Sequence, residues 1–416
     1  MKRINWDDNN LLWIANDIPE DKDELDPQKL RGIIEPWLTA VFQSEHLSLL
    51  LGSGITTAMV NECEESPQAM QRIDFSNCEQ LIKEYSNKSA EKLDRGKANF
   101  EDDLRTAIEL LKGLTIAQND KAESLEQEID KELENLIKNL LNNEKLVLKS
   151  DKYQTALGLL QQFLISFSSR TATRDRLHIF TTNYDRIIEH ALDLAAIYIL
   201  DRFVGKLTPI MRMNKMELDY HYNPPGIRGE PRYVEGVIRY TKLHGSVDWQ
   251  FDKNEIRKEP LPFGHMPEKI ENSYESKVIY PNSAKGIDTA YFPYSELFRD
   301  FSSAICRPNS VLITYGYGFG DSHINNIISD MMTILSTHLV IISYDTAEGR
   351  IKKFADNCNP SQLTLLVGNH FGDLRNLTQN YLPKSAIDRI SNREAKIREM
   401  RQLADMKQES KRDNNE

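Results

Sequence analysis

No two cysteines stand at the short spacing that a structural zinc site or a redox dithiol requires. The chain of 416 residues contains only Cys63, Cys78, Cys306 and Cys358, all widely separated. No zinc or other metal is therefore expected, and four scattered thiols point to a reducing compartment, the cytoplasm. No apolar run approaches the roughly 20 residues of a membrane span. The opening stretch, MKRINWDDNNLLWIAND, turns acidic too early for a secretory signal. Positive charge is also in deficit: 52 Lys and Arg face 63 Asp and Glu, a net charge of −11. That balance opposes strong direct binding to nucleic acid or to an anionic membrane. No Walker motif and no GxSxG occur, which argues against an ATP-driven motor and against a nucleophile-elbow serine hydrolase.

What is present is a set of short, continuous apolar runs: LSLLL (47–51), LHIFTT (177–182), VLITY (311–315), LVIISY (339–344) and LTLLV (363–367). VIRYTKLHG (237–245) is a sixth, less regular one. Runs without alternation mark strands covered on both faces, as in parallel sheets flanked by helices. The expected class is α/β, a doubly wound parallel sheet of about six strands.

Around those strands the chain divides into an N-terminal arm (1–46), a sheet domain (47–60 and 172–380), a helical insertion (61–171), and a C-terminal helix with a polar tail (381–416). The first two strands are too far apart in sequence for a simple crossover. Helical patterns fill the gap, with Leu125, Ile129, Leu133, Leu136, Ile137 and Leu140 on one stripe. That stripe reads as a helical unit packing on itself, with an oligomer contact as the alternative. Residues 205–300 are punctuated by NPPGIRGEPRY and YPNSAKGIDTAYFPY, so a second, loop-rich insertion within the sheet domain is expected there.

Ligands of open α/β sheets bind outside the carboxyl ends of the strands, so the residues following each run are the ones to inspect. LSLLL leads into GSGITTA, where Gly52, Ser53 and Gly54 form a phosphate-cradle candidate at a helix start. Thr57 stands where a dinucleotide fingerprint would have its third glycine. LHIFTT leads into NYDRIIEH. Helix capping accounts for Asp185 there, while Thr182 and Asn183 suit contact with ligand hydroxyls. In GYGFGDSH, Gly316, Gly318 and Gly320 permit close approach of a ligand, with Asp321 either beside it or capping the next helix. Asp345, after LVIISY, is a candidate ribose acceptor. His244 is either a general base or a packed histidine; its neighbour Ser246 is a rival nucleophile that lacks the elbow.

In this order, GSGIT, TTNYD, KLHGS and GYGFGD resemble the sirtuin-like family, particularly the bacterial sirtuin-like NAD hydrolases of antiphage defence. The resemblance implies a Rossmann-like sheet with Gly52, Ser53 and Gly54 at the NAD pyrophosphate. It assigns Asn183 to the ribose, Asp185 as its acidic companion, and His244 as the base. Thr182, Gly316, Gly318 and Asp321 are implied as further cofactor contacts, and Phe100 and Glu101 look like a pair carried near the start of the helical insertion. Protein-deacylating sirtuins carry a four-cysteine zinc module, which these cysteines do not form, so hydrolysis of NAD is the expected reaction. The resemblance further implies an NAD-depleting abortive-infection effector. A homo-oligomer is expected, with a partner such as a HerA-type ATPase or a short Argonaute. A non-catalytic NAD or ADP-ribose sensor controlling an assembly or a partner nuclease is the main alternative, and a zinc-free deacylase the other.

Overall fold

The computed structural model describes residues 4–15, 25–68, 71–92, 97–170, 174–213, 216, 218–223, 232–252, 255–266, 277–279 and 292–384. All six apolar runs lie in one large sheet. Its strands are β1 (Leu11–Ile14), β2 (His46–Leu51), β3 (His178–Thr181), β4 (Tyr198–Leu200), β5 (Val237–Lys242), β6 (Ser310–Tyr315), β7 (His338–Ser343) and β8 (Leu363–Val367). The order across the sheet is β1-β8-β7-β6-β2-β3-β5-β4. Every pairing is parallel except that of β1 with β8.

The sheet therefore has eight strands rather than about six. The two extra ones are edge strands of four and three residues, too short to stand out as runs. One of them comes from the region expected to be an arm, which also supplies helix α1 (Pro27–Phe42), started by Asp26 accepting from the Gln28 amide.

Alternate side chains of the central strands go to opposite faces, as the pleat dictates. Leu49, Leu51 and Ile313 join one apolar cluster with residues of α1, α2 (Ser53–Glu62), α6 (Tyr153–Ser168) and α7 (Ile187–Leu194). Leu50, Leu312 and Ile341 join another with α8 (Tyr294–Ile305), α9 (Ser322–Met332) and α10 (Arg350–Ala355). Each fully buried leucine or isoleucine contributes roughly 1.5–3 kcal/mol.

Between α2 and α6 lie α3 (Glu79–Lys92), α4 (Phe100–Ile116) and the 29-residue α5 (Lys121–Lys149). The α5 stripe is buried in a third cluster with Phe75, Ile82, Phe100 and Leu104. Helix α6, placed by sequence in the same insertion, instead covers the sheet through Phe163 and Phe167, because a parallel crossover needs a helix against the strands.

The 205–300 stretch is not wholly an insertion either. It contains β5 and the start of α8. It also holds Gly245–Asp252, the long strand of a smaller antiparallel sheet. Most of NPPGIRGEPRY and YPNSAKGIDTAYFPY, and the charged pattern after residue 384, fall outside the described residues.

Chain order runs outward in one direction from β2 through β3 and in the other from β6 through β7 and β8, so the sheet reverses between β2 and β6. At that point the two loops cross with their backbones in contact. Gly52 donates to the Tyr315 carbonyl at 3.1 Å and Gly54 to the Gly316 carbonyl at 3.0 Å. A β-carbon on Gly54 would lie 2.5 Å from Gly316 Cα, and Gly316 itself has φ +60°. Gly54→Ala should therefore cost roughly 1–3 kcal/mol in urea unfolding, as overpacking does. Gly113→Ala, on an exposed face of α4 with nothing within 4 Å of the added carbon, should instead stabilise by about 0.4–1 kcal/mol.

Candidate active site

The carboxyl ends of β2, β3, β5 and β6 and the first turns of α2 and α4 enclose a cavity of about 510 Å³. Its lining includes Asn183, Asp185, His244, Asp321, Thr56 and Glu101. Asn183, Asp185, His244, Asp321 and Glu101, all singled out by sequence, thus line one cavity.

Asn183 is fixed by a chain of buried hydrogen bonds. Its backbone amide donates to Thr181 Oγ1 at 3.1 Å, and Thr181 Oγ1 in turn donates to the Leu51 carbonyl at 2.9 Å. Its side-chain Nδ2 donates to Thr56 Oγ1 at 2.9 Å, and Thr56 donates onward to Asp185 Oδ2 at 2.7 Å. The other oxygen of Asp185 accepts from the Ile187 amide at 3.1 Å, at the start of α7. Both Asp185 oxygens are engaged within the protein, so it orients Asn183 through Thr56 and caps α7. The sequence offers both roles, a helix start and an acidic companion to Asn183, and the companionship runs through Thr56. Thr182 lines the cavity while its amide ties β3 to the Leu51 carbonyl at 3.2 Å.

The next segment alternates between two supports. Asn183 and Asp185 face α2, whereas Tyr184 and Arg186 bind the helical unit. Tyr184 donates its hydroxyl to Glu101 Oε1 at 3.1 Å, and burial pushes its phenol well above the usual range. Arg186 donates from its amide and Nε to Glu144 Oε1 at 2.9 and 3.1 Å, and a terminal nitrogen reaches Oε2 at 2.6 Å. The Gly264 amide also donates to Glu144, at 3.3 Å. Burial raises the Glu144 carboxyl above its ordinary value, even beside a guanidinium.

His244 lies in the turn just after β5, 5% exposed, and its Nε2 lies 3.0 Å from Asp321 Oδ2. A carboxylate only accepts, so Nε2 carries the proton and Nδ1 is the ring's basic nitrogen. The other oxygen of Asp321 accepts from the His323 and Ile324 amides at 2.9 and 3.2 Å, capping α9. Asp321, which also lines the cavity, thus orients His244 and caps the next helix, the second of the two roles the sequence offers for it. Ser246 is fully buried and donates to the Tyr184 carbonyl at 3.4 Å, which makes it a structural group. Lys242 is also buried and binds Glu189 at 2.9 Å and the Asp185 carbonyl. Trp249 packs on Phe203 at 5.0 Å in the core.

A second cavity, of about 750 Å³, adjoins the first and has Ser53, Thr57, Tyr317, Gly318 and Arg350 in common with it. Asp345 lines it, and one carboxylate oxygen accepts from the Ala347 amide at 2.8 Å. The glycine loop contributes differently from expectation. The Gly54 and Gly316 amides are used within the protein, the latter on the Ile342 carbonyl at 3.1 Å, so neither can hold a phosphate. Ser53 remains at the start of α2, a helix end without a side-chain cap. Beside it stands Arg350, whose Nε donates to the Gly318 carbonyl at 2.7 Å. An anion at this junction would meet a guanidinium and the positive end of α2 together. Sequence reading missed Arg350, though it follows Asp345 by five residues at a strand's carboxyl end, and missed Thr56, which no motif spacing marks. Among the described residues, no group of three His, Cys, Asp or Glu is placed to hold a metal ion.

The Arg186–Glu144 pair fastens this site to the helical unit. Glu144→Ala, which strands a buried guanidinium, should lower stability by about 3–5 kcal/mol in chemical denaturation, and adding Arg186→Met should recover part of the loss.

No curated protein matches the chain. A family match covers less than half of it, running from the residue before β3 almost to β8. It contains Asn183, Asp185, His244, Asp321, Asp345 and Arg350 and leaves Gly52–Gly54 and the helical unit outside. Over residues 177–360 the chain is similar to the SIR2-like domain, a sirtuin-like family that uses NAD, which supports a Rossmann-like fold and an NAD-dependent activity in general.

Proposed function

We propose that the protein is an NAD hydrolase that cleaves the nicotinamide–ribose bond and releases nicotinamide and ADP-ribose. The observation that carries this reading is the pairing of two adjoining cavities. One is lined by Asn183 and the His244–Asp321 pair, the other by Asp345, and Arg350 lines both. A dinucleotide has the matching sequence of parts: a reactive ribose, a doubly charged diphosphate and an adenosine ribose. Arg350 and the start of α2 suit the diphosphate, and Asp345 suits a ribose hydroxyl.

Breaking the glycosidic bond sends its electron pair to nicotinamide and leaves oxocarbenium character on the ribose, as in other glycoside cleavages. Asn183, held by Thr56, orients the ribose. His244 accepts a proton from a ribose hydroxyl or from the attacking water, and Asp321 stabilises the imidazolium that forms.

Uncontrolled hydrolysis would drain the cell of NAD, so the proposal includes regulation by assembly, as a homo-oligomer or with a partner chain such as a HerA-type ATPase or a short Argonaute. The biological role proposed is that of an NAD-depleting abortive-infection effector in antiphage defence. Its support is the order of GSGIT, TTNYD, KLHGS and GYGFGD along the chain.

Purified protein, alone and with the product of the neighbouring gene, should convert NAD to equal amounts of nicotinamide and ADP-ribose. Asn183→Ala and His244→Ala should each slow this by roughly 10²–10⁴-fold. NAD loss that persists undiminished in both variants would falsify the mechanism. NAD binding without turnover, even with the partner present, would favour a sensor. Nicotinamide release that depends on an acetylated peptide would favour deacylation.

A further inference from the structure

The larger helical part of the chain adds one carboxylate to the catalytic cavity, and its surroundings set it apart from the other two. Asp185 spends its oxygens on Thr56 and the Ile187 amide, and Asp321 spends its own on His244 and the first turn of α9. Glu101, in the first turn of α4, commits Oε1 to the Tyr184 hydroxyl, and no other hydrogen bond to it is found among the described residues. It is half-buried rather than sealed, and it lines the same cavity as Asn183 and His244. Tyr184 joins the two sides: its hydroxyl reaches Glu101, and its ring lies 6.2 Å from that of His244, centre to centre.

The geometry of α4 makes this placement firm. Asn99 accepts from the Asp102 amide at 3.1 Å, and Asp102 accepts from the Asn99 amide at 3.0 Å, a reciprocal cap that fixes the turn carrying Glu101. Phe100, next to it, is buried in the core of the helical unit. Glu101 is therefore a carboxylate on a rigid support, with an oxygen in reserve, facing the chamber in which the proposed reaction develops positive charge.

We propose that Glu101 is a catalytic residue that orients the attacking water, an inference that rests on the NAD-hydrolase reading. The C1′–N bond breaks with its electrons leaving on nicotinamide. Water, held by a hydrogen bond to Glu101, forms the new C1′–O bond, and its proton passes to His244 and then to solvent. The negative charge of Glu101 also lies near the cationic ribose, where it is worth more than in water. The helical unit then supplies part of the active site as well as covering it.

The test compares steady-state NAD hydrolysis, and NAD binding by calorimetry, in the full-length protein under the conditions in which it is active. Glu101→Gln should lower kcat on the order of 10²-fold while KM and NAD affinity change by no more than about threefold. Glu101→Asp should recover part of the rate. Tyr184→Phe, which removes only the supporting hydroxyl, should lower kcat about tenfold. Sodium formate should restore turnover to Glu101→Ala and leave His244→Ala unaffected, a rescue that a purely structural role would not give. A kcat for Glu101→Gln within about twofold of wild type, with His244→Ala still inactive, overturns the role of Glu101 alone. Absence of NAD turnover by the wild-type protein overturns the hydrolase reading itself and this inference with it.

Discussion

Two loops cross at the centre of the sheet with no room between them for a β-carbon, and the candidate site is built around that crossing. The turn after β2 and the turn after β6 meet at Gly52, Gly54 and Gly316, where backbone lies against backbone and the amides of one turn donate to the carbonyls of the other. Because the strand order reverses between these two strands, the helices that follow them, α2 and α9, join opposite apolar clusters, the setting in which open α/β sheets bind ligands. The crossing forms the shared wall of the two cavities, through Ser53, Tyr317 and Gly318. Its glycines shape the site and donate within the protein. Arg350 and the uncapped start of α2 stand at the same wall, and the proposed function gives the anion to them.

Polar groups in the candidate cavity are arranged so that most are consumed in holding one another. Burying a carboxylate or an amide without partners costs several kcal/mol, and Asp185, Thr56 and Asn183 avoid that cost by forming a closed chain. The same constraint makes Asp321 serve two masters: one oxygen caps α9 and the other fixes the tautomer of His244. A residue doing both jobs couples the position of α9 to the proton inventory of the imidazole. Rigidity of this kind is what keeps a base aligned before a substrate arrives.

The legible part of the sequence was the part governed by neighbours along the chain. Burial on both faces makes a parallel strand continuous in hydrophobicity, so LSLLL, VLITY and LVIISY announced the sheet and its class, and the residues just past them announced where polar chemistry collects. The edge strands LLWI and YIL were illegible because a few residues carry no periodicity. Thr56 and Asp185 are 129 residues apart, and a threonine on a helix carries no mark of the carboxylate it meets. Gly54 was read as making room for a phosphate, since a glycine in a turn says that something approaches closely and leaves the identity of that something open. Here it is another backbone.

The segment from Asn183 to Arg186 shows why the helical unit belongs to the site. Its side chains alternate between two supports: Asn183 and Asp185 meet the sheet domain through Thr56, while Tyr184 and Arg186 meet α4 and α5 through Glu101 and Glu144. Displacing the helical unit would withdraw both supports on one side and leave a buried guanidinium without its carboxylate, a state several kcal/mol higher. Asn183 would then lose the restraints on the residues that follow it and keep those on the residues that precede it, where Thr181 and Thr182 bind the Leu51 carbonyl. The orientation of the Asn183 amide is for this reason a property of two packed units, and any contact that shifts α5 against β3 acts on it.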